Sequence, residues 1–293
     1  MRYAAIDIGS NAVRLLIAEV TKDKKNEYSF NKDTLIRVPL RLGDDAFLEK
    51  YLSDKKADLL VKTMSAFRNL MDAYEVEDYM ACATSAMREV KNGLQVVEKI
   101  KEVGIDLQII DGNKEAEIIY SSQVIQKLDI KKPYLYIDVG GGSTELSFFS
   151  SGVLTASKSF NIGTIRILDN QDKKETWDDM KAWVKDVTEG FKHVVAVGSG
   201  GNINKLFSLS GERPGQLLSY SKLRSLADML KSHTLKERIQ DLGLKPDRAD
   251  VIIPACKIFI SLMKWGSIEE IAVPRIGLVD GVIQTLIDKN LKN

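Results

Sequence analysis

Apolar residues come in short runs along this chain, and the period of those runs changes at intervals. Over Ala4–Val20 two runs flank a turn of small polar residues, which predicts a hairpin of two strands. A third strand is expected around Tyr28–Leu40. The spacing then turns helical: within Asp54–Tyr74, Leu59, Leu60, Met64, Phe67, Leu70 and Met71 fall on one stripe. A strand at Asp78–Ala83, a helix at Leu94–Val103, a strand at Ile105–Ile110 and a helix at Lys114–Leu128 come next. Strands alternating with helices imply a largely parallel sheet carrying an antiparallel edge hairpin. Lys131-Lys132-Pro133 interrupts the pattern, which restarts at Tyr134 with a second hairpin and a strand at Val153–Phe160. Helices at Thr164–Leu168 and Thr176–Phe191, a buried strand at His193–Val197, a helical stretch from Ser221 to Trp265, a strand at Glu270–Val273 and a helix from about Leu278 complete the reading. The chain is therefore expected to be α/β, with one domain over 1–125 and a related but larger one, carrying a helical insert, over 126–277.

The two hairpins are copies of each other. Ala4–Val20 reads A-A-I-D-I-G-S-N-A-V-R-L-L-I-A-E-V and Leu135–Gly152 reads L-Y-I-D-V-G-G-G-S-T-E-L-S-F-F-S-S-G. Aligned without a gap, Asp7 falls on Asp138, Gly9 on Gly140, Arg14 on Glu145 and Leu15 on Leu146. In each copy an Asp ends an apolar strand and a small-residue turn succeeds it: Gly9, Ser10 and Asn11 in the first, Gly140, Gly141, Gly142, Ser143 and Thr144 in the second. Such turns let backbone N–H groups approach an anion, and the Asp can hold a cation beside it. A carboxylate at the end of an apolar run is costly without a partner, which a divalent cation or a phosphate-bound water would supply for Asp7 and Asp138. Two matched loops suggest two domains facing a shared cleft that handles phosphate.

Other segments bear on the same chemistry. Gly198-Ser199-Gly200-Gly201 comes after an apolar strand and opens a helix, the setting of an anion or nucleotide site. It is no dinucleotide fingerprint, since Ile203 occupies the third Gly position, and no G-x-x-x-x-G-K-[ST] occurs. Ala83-Thr84-Ser85-Ala86-Met87-Arg88 also comes after a strand, so Arg88 is expected to face the cleft and clamp a phosphate. Glu115 and Glu117 open a helix, where acids complement the helix dipole; the alternative is that one abstracts a proton from water. His193 and His233, the only histidines, suit neither a metal cluster nor a Ser–His triad.

Composition narrows the partners. A length of 293 residues with 44% apolar content supports two cores. With 42 basic and 41 acidic residues, and no basic–aromatic interleaving, nucleic acid is not an expected partner. No apolar run approaches the length of a membrane span, and the first strand starts too early for a signal peptide. Cys82 and Cys256 are isolated in apolar surroundings, which indicates buried reduced thiols and a cytoplasmic location.

D-I-G-S-N, A-T-S-A-M-R, E-A after a Gly, D-V-G-G-G-S-T-E-L, N-I-G-T-I-R, G-S-G-G, R-A-D-V-I-I-P and the late I-G-L-x-x-G occur here in the order seen in exopolyphosphatase/guanosine pentaphosphate phosphohydrolases, which the chain resembles along nearly its whole length. The resemblance implies two actin-like, ribonuclease-H-like domains with a cleft between them, the terminal helix (about 278–293) returning to the first. It further implies Mg²⁺-dependent hydrolysis of a terminal phosphoanhydride in polyphosphate or guanosine pentaphosphate. By its place before Ala116, Glu115 matches the family's catalytic Glu, while Asp138 and Glu145 match acids that position metal and water. Gly140–Ser143, with Ser10 and Asn11, match the phosphate-cradling loops, and Arg88 a basic residue of the phosphate channel. A homodimer is compatible with this reading. Departures occur at Ala12, Lys114, Asn202 and Val279-Asp280. A kinase of the same superfold, and a sensor that binds guanosine polyphosphates without cleaving them, are the alternatives.

Overall fold

The computed structural model describes residues 1–24, 27–120, 132–275 and 277–291. It divides into two compact units, the first made of Met1–Ile125 with Leu278–Asn293 and the second of Gln126–Gly277. The second half of the helix expected at Lys114–Leu128 lies outside the described residues.

In the first unit, β1 (Arg2–Ile8), β2 (Val13–Lys22) and β3 (Tyr28–Val38) form an antiparallel meander. Strands β4 (Asp78–Ala83) and β5 (Leu107–Ile109) extend it on the other side, both parallel to β1. The sheet order is β3-β2-β1-β4-β5, so the C-terminal ends of three parallel strands share one edge. Strand β1 is the sheet's middle and is buried on both faces, which is why Tyr3–Ile6 form an unbroken apolar run up to Asp7. Helix α2 (Asp54–Ala73) is capped by Ser53, whose side chain accepts from the Lys56 N–H. It buries Ala57, Leu60, Met64, Phe67 and Met71. Each of the larger side chains gains about 1.5–3 kcal/mol from full burial. Leu59, placed on the buried stripe by spacing, is instead exposed, because at about 100° per residue it falls roughly a third of a turn away from the direction shared by Ala57, Leu60, Met64, Phe67 and Met71. Two short helices escape the pattern altogether: α1 (Leu42–Leu48) and α3 (Ser85–Glu89). Helices α4 (Gly93–Glu102) and α5 (Gly112–Tyr120) complete the run before the second unit.

The terminal helix α13 (Leu278–Leu291) belongs to this first unit and packs on α5 and β1. Its C-terminal end is tied to β4, where Asp78 Oδ2 accepts from Asn290 Nδ2 at 2.8 Å and Lys289 Nζ at 3.3 Å. Near its start, Asp280 is 4% exposed and ion-paired with Lys32 of β3 at 2.6 Å.

The second unit repeats the plan. Strands β6 (Tyr134–Val139), β7 (Thr144–Ser150) and β8 (Val153–Phe160) are the meander, and β9 (Val195–Ser199) lies parallel to β6. A two-residue strand, β10 (Leu218–Ser219), and β11 (Glu270–Ala272) complete the order β10-β11-β9-β6-β7-β8. Helices α6 (Thr164–Leu168), α7 (Lys174–Thr188), α8 (Gly201–Ser210), α9 (Tyr220–Ser232), α10 (Leu235–Gln240), α11 (Pro246–Ala249) and α12 (Ile252–Trp265) surround the sheet. The apolar helix α12 is the centre of the core, and Ile258, Phe259 and Leu262 are fully buried. Among the described residues no helix is long and apolar enough to cross a membrane.

Both cysteines are buried, and burial is the main cause pushing the Cys82 and Cys256 thiols up to about 12. Since the thiolate is the reactive form, the native protein is expected to show no thiol reactive with a disulfide reagent at pH 8, and two after unfolding. A rapidly titrating native thiol would contradict the burial.

Candidate phosphate site

The turns of the two hairpins share one geometry. The Gly9 N–H donates to the Ala12 carbonyl at 3.2 Å, and the equivalent Gly140 N–H donates to the Ser143 carbonyl at 2.9 Å. A Cβ on either Gly would crowd that carbonyl, which accounts for the Gly at both positions. Both turns lie at the C-terminal edge of the parallel strands of their own sheet, the edge where ligands bind in α/β folds.

In the first unit this edge collects the expected residues. Ser10 Oγ and Ser85 Oγ are hydrogen-bonded at 2.9 Å, joining the first loop to the start of α3. Arg88, on the last turn of α3, donates from Nη1 to the Ile110 carbonyl at 2.6 Å. The same Nη1 stands 3.7 Å from Glu115 Oε2. Glu115 is 8% exposed, whereas Glu117 is exposed and pairs with Lys114 across one helical turn. Glu115, matched to the catalytic Glu by the resemblance, and Glu117, which the sequence leaves as surface, therefore differ in setting: one is enclosed beside a guanidinium, the other solvated.

Asp7 has a different partner from the cation expected for it. Cross-strand pairing sets Asp7 opposite Arg14, and the Arg14 Nη1 to Asp7 Oδ2 distance is 2.5 Å. A guanidinium from the facing strand thus meets the cost of burying this carboxylate. In the second hairpin the same register sets Asp138 opposite Glu145. Here the cation is replaced by a second carboxylate, and like charges directly opposite each other oppose pairing. Glu145 is 3% exposed, and its Oε1 accepts from Ser159 Oγ at 2.9 Å. Two carboxylates suit Mg²⁺, which is held by one or two carboxylates together with water and substrate phosphates rather than by a full protein cage. No cluster of three or more His, Cys, Asp or Glu occurs among the described residues.

The Gly198–Gly201 segment divides in two. Gly198 lies inside β9, where a Cβ would meet Ile271 and Ile203 side-chain atoms at 2.8 and 2.9 Å, so its part is packing rather than phosphate contact. Ser199 pairs with Asp138 in the ladder and is buried. Gly200 has φ of 98°, and a Cβ there would sit 3.2 Å from Asp138 Oδ1, so this turn abuts the acidic pair. Gly201 opens α8 against the Arg248 guanidinium, which would stand 2.6 Å from an added Cβ. Thr144 also changes role: its hydroxyl donates to the Ile162 carbonyl at 2.6 Å and is committed to the fold. The Asp280 departure is accounted for by its ion pair with Lys32.

Two α/β units of one plan, each with an Asp-x-Gly hairpin loop at the C-terminal edge of its own sheet, define an actin-like fold. Residues 24–290 match the Ppx/GppA phosphatase family, and the chain belongs to that family. It is 31% identical over 286 residues to a bifunctional 3-dehydroquinate synthase/phosphatase of Fusobacterium nucleatum, covering 89% of this chain but only 43% of that relative's length. It is 25% identical to exopolyphosphatase 1 of Mycobacterium tuberculosis, covering 98% of this chain and 89% of the relative. The crystal structure of an exopolyphosphatase from Cytophaga hutchinsonii superposes with a TM-score of 0.83 at 25% identity, over 99% of this chain and 98% of that one.

Proposed function

We propose that the chain is a Mg²⁺-dependent phosphoanhydride hydrolase that releases terminal phosphate from inorganic polyphosphate. The observation that carries this reading is the exchange of the Asp7–Arg14 ion pair for the Asp138/Glu145 acid pair within otherwise matching hairpins. One copy sets an arginine opposite its aspartate, while the other sets two carboxylates opposite each other beside a glycine-rich loop, the donor set that suits a divalent cation. The exopolyphosphatases among its relatives support the choice of substrate.

Asp138 and Glu145 would hold the metal, which when bound would offset the charge of the substrate phosphates. Glu115 takes a proton from the attacking water as the water oxygen bonds to the terminal phosphorus; the phosphoanhydride P–O bond on the opposite side breaks, and its electron pair leaves on the terminal oxygen of the shortened chain. Arg88 is anchored through the Ile110 carbonyl and so offers a fixed positive charge to the phosphoryl oxygens with little loss of side-chain freedom. The N–H groups of the Gly loops contribute fixed donors of the same sign. Phosphoryl transfer asks mainly for positioning and charge stabilisation, and these groups supply both.

The test is phosphate release from polyphosphate and from guanosine pentaphosphate, with Mg²⁺ and with EDTA. Release from polyphosphate that EDTA abolishes is expected; none from either substrate would end the proposal. Asp138→Ala and Glu145→Ala should each raise the Mg²⁺ needed for half-maximal rate about tenfold or more, at least the effect of losing an outer-sphere partner. Unchanged Mg²⁺ dependence in both variants would remove the pair from the metal site.

A further inference from the structure

The second Gly loop is held from behind by the segment Gly163–Arg166. The Gly140 carbonyl accepts from the Thr164 N–H at 3.0 Å, and the Gly141 carbonyl from the N–H groups of Ile165 at 2.8 Å and Arg166 at 3.3 Å. The Gly142 carbonyl accepts from Arg166 Nε at 2.6 Å. Arg166 is 5% exposed, a rare burial for a residue that is always charged. Gly163 allows the approach, since a Cβ there would lie 2.4 Å from the Gly141 carbonyl oxygen.

The first unit holds its loop in the same way through backbone N–H donors. The Ser10 carbonyl accepts from the Gly43 N–H at 2.8 Å and the Asn11 carbonyl from the Arg41 N–H at 3.0 Å. Ser10 and Asn11 are the positions equivalent to Gly141 and Gly142. In both units the donors come from the start of the short helix after the third strand, α1 in one and α6 in the other.

Peptide planarity gives these bonds a consequence. In a trans peptide the carbonyl of one residue and the N–H of the next point in opposite directions. Fixing the carbonyls of Gly140, Gly141 and Gly142 toward α6 therefore turns the N–H groups of Gly141, Gly142 and Ser143 away from it. Among the described residues, none of these three N–H groups has a backbone acceptor. A run of glycines would otherwise flip its peptides freely.

We infer that Arg166 is a positioning residue of this loop: its guanidinium locks the Gly142–Ser143 peptide so that the Gly141–Ser143 N–H groups converge on an anion. The inference rests on the reading of the loop as a phosphate site. It predicts that Arg166→Ala leaves unit 2 folded, raises KM for polyphosphate at least tenfold with a smaller fall in kcat, and partly regains the loss with millimolar guanidinium but not with equal NaCl. The ¹⁵N order parameters of Gly141, Gly142 and Ser143 should fall from about 0.85 to below about 0.6. Arg166→Lys, which keeps one donor, should fall between, and it carries the test if the Ala variant does not fold. A folded variant with wild-type KM and wild-type order parameters would overturn the inference. If the wild-type protein releases no phosphate, the functional reading fails instead, and the order parameters alone decide the role of Arg166.

Discussion

Glu115→Gln is expected to lower phosphate release about a hundredfold or more while leaving the fold and polyphosphate binding near wild type, the range for a lost general base. Gln is close to isosteric with Glu and can still receive a hydrogen bond, so the change removes basicity with little change of shape. The surroundings favour a chemical role over a capping one. Glu115 stands in the first turn of α5, where any acid would suit the dipole, yet its carboxylate is enclosed and lies 3.7 Å from an Arg88 held by a separate carbonyl. Steady-state kinetics with a binding measurement on the same variant decides the matter. Wild-type turnover would reduce Glu115 to a counter-ion for Arg88.

Gly281→Ala should be among the most damaging single-methyl changes in the molecule. A Cβ at Gly281 would stand 2.0 Å from the Ile118 carbonyl oxygen and 2.6 Å from its carbon, both of them backbone atoms of α5. Neither can rotate aside, so α13 and α5 must separate. Overpacking a close-packed interior costs about 1–3 kcal/mol, and a backbone clash belongs at or above the top of that range. Because α5 carries Glu115, soluble variant protein should lose turnover as well as stability. Denaturant unfolding with the midpoint unchanged would show that the two helices can part without cost.

Much of this architecture is visible in the residue pattern, and the misses have physical causes. Short unbroken apolar runs place the central strands, which are buried on both faces, and the period near 3.6 places the long helices, which bury one face each. The helices α1 and α3 span seven and five residues, too few for a period to show, and long-range contacts hold them. The Gly43 N–H bonds the Ser10 carbonyl, and Ser85 bonds Ser10. The aligned hairpins put Arg14 on Glu145, but that the first closes an ion pair depends on strand register, which no local signal reports. Thr144 and Gly198 belong to segments that look like phosphate sites, yet they lie in β7 and β9, where the one hydroxyl bonds the Ile162 carbonyl and the one bare Cα makes room for Ile203 and Ile271. Arg166 is beyond local reading for the same reason: its contact reaches 24 residues back along the chain to a carbonyl. The motif N-I-G-T-I-R marks the segment in the sequence, but not the carbonyl that its arginine reaches.

The membership of α13 in the first unit bears on how the chain is made. Residues 126–277 are contiguous, so every element of the second unit exists before the terminal helix is synthesised. The first unit is begun earliest and completed last. Until Leu278–Leu291 leave the ribosome, β1 and α5 lack the helix that covers them, and Val282, Ile283, Leu286 and Ile287 are missing from the core they are buried in. During translation the first half must wait, partly uncovered, for a segment that arrives only after the whole second half. Domains that fold as they emerge usually mature from the N-terminus onward; in this chain the order of completion is reversed.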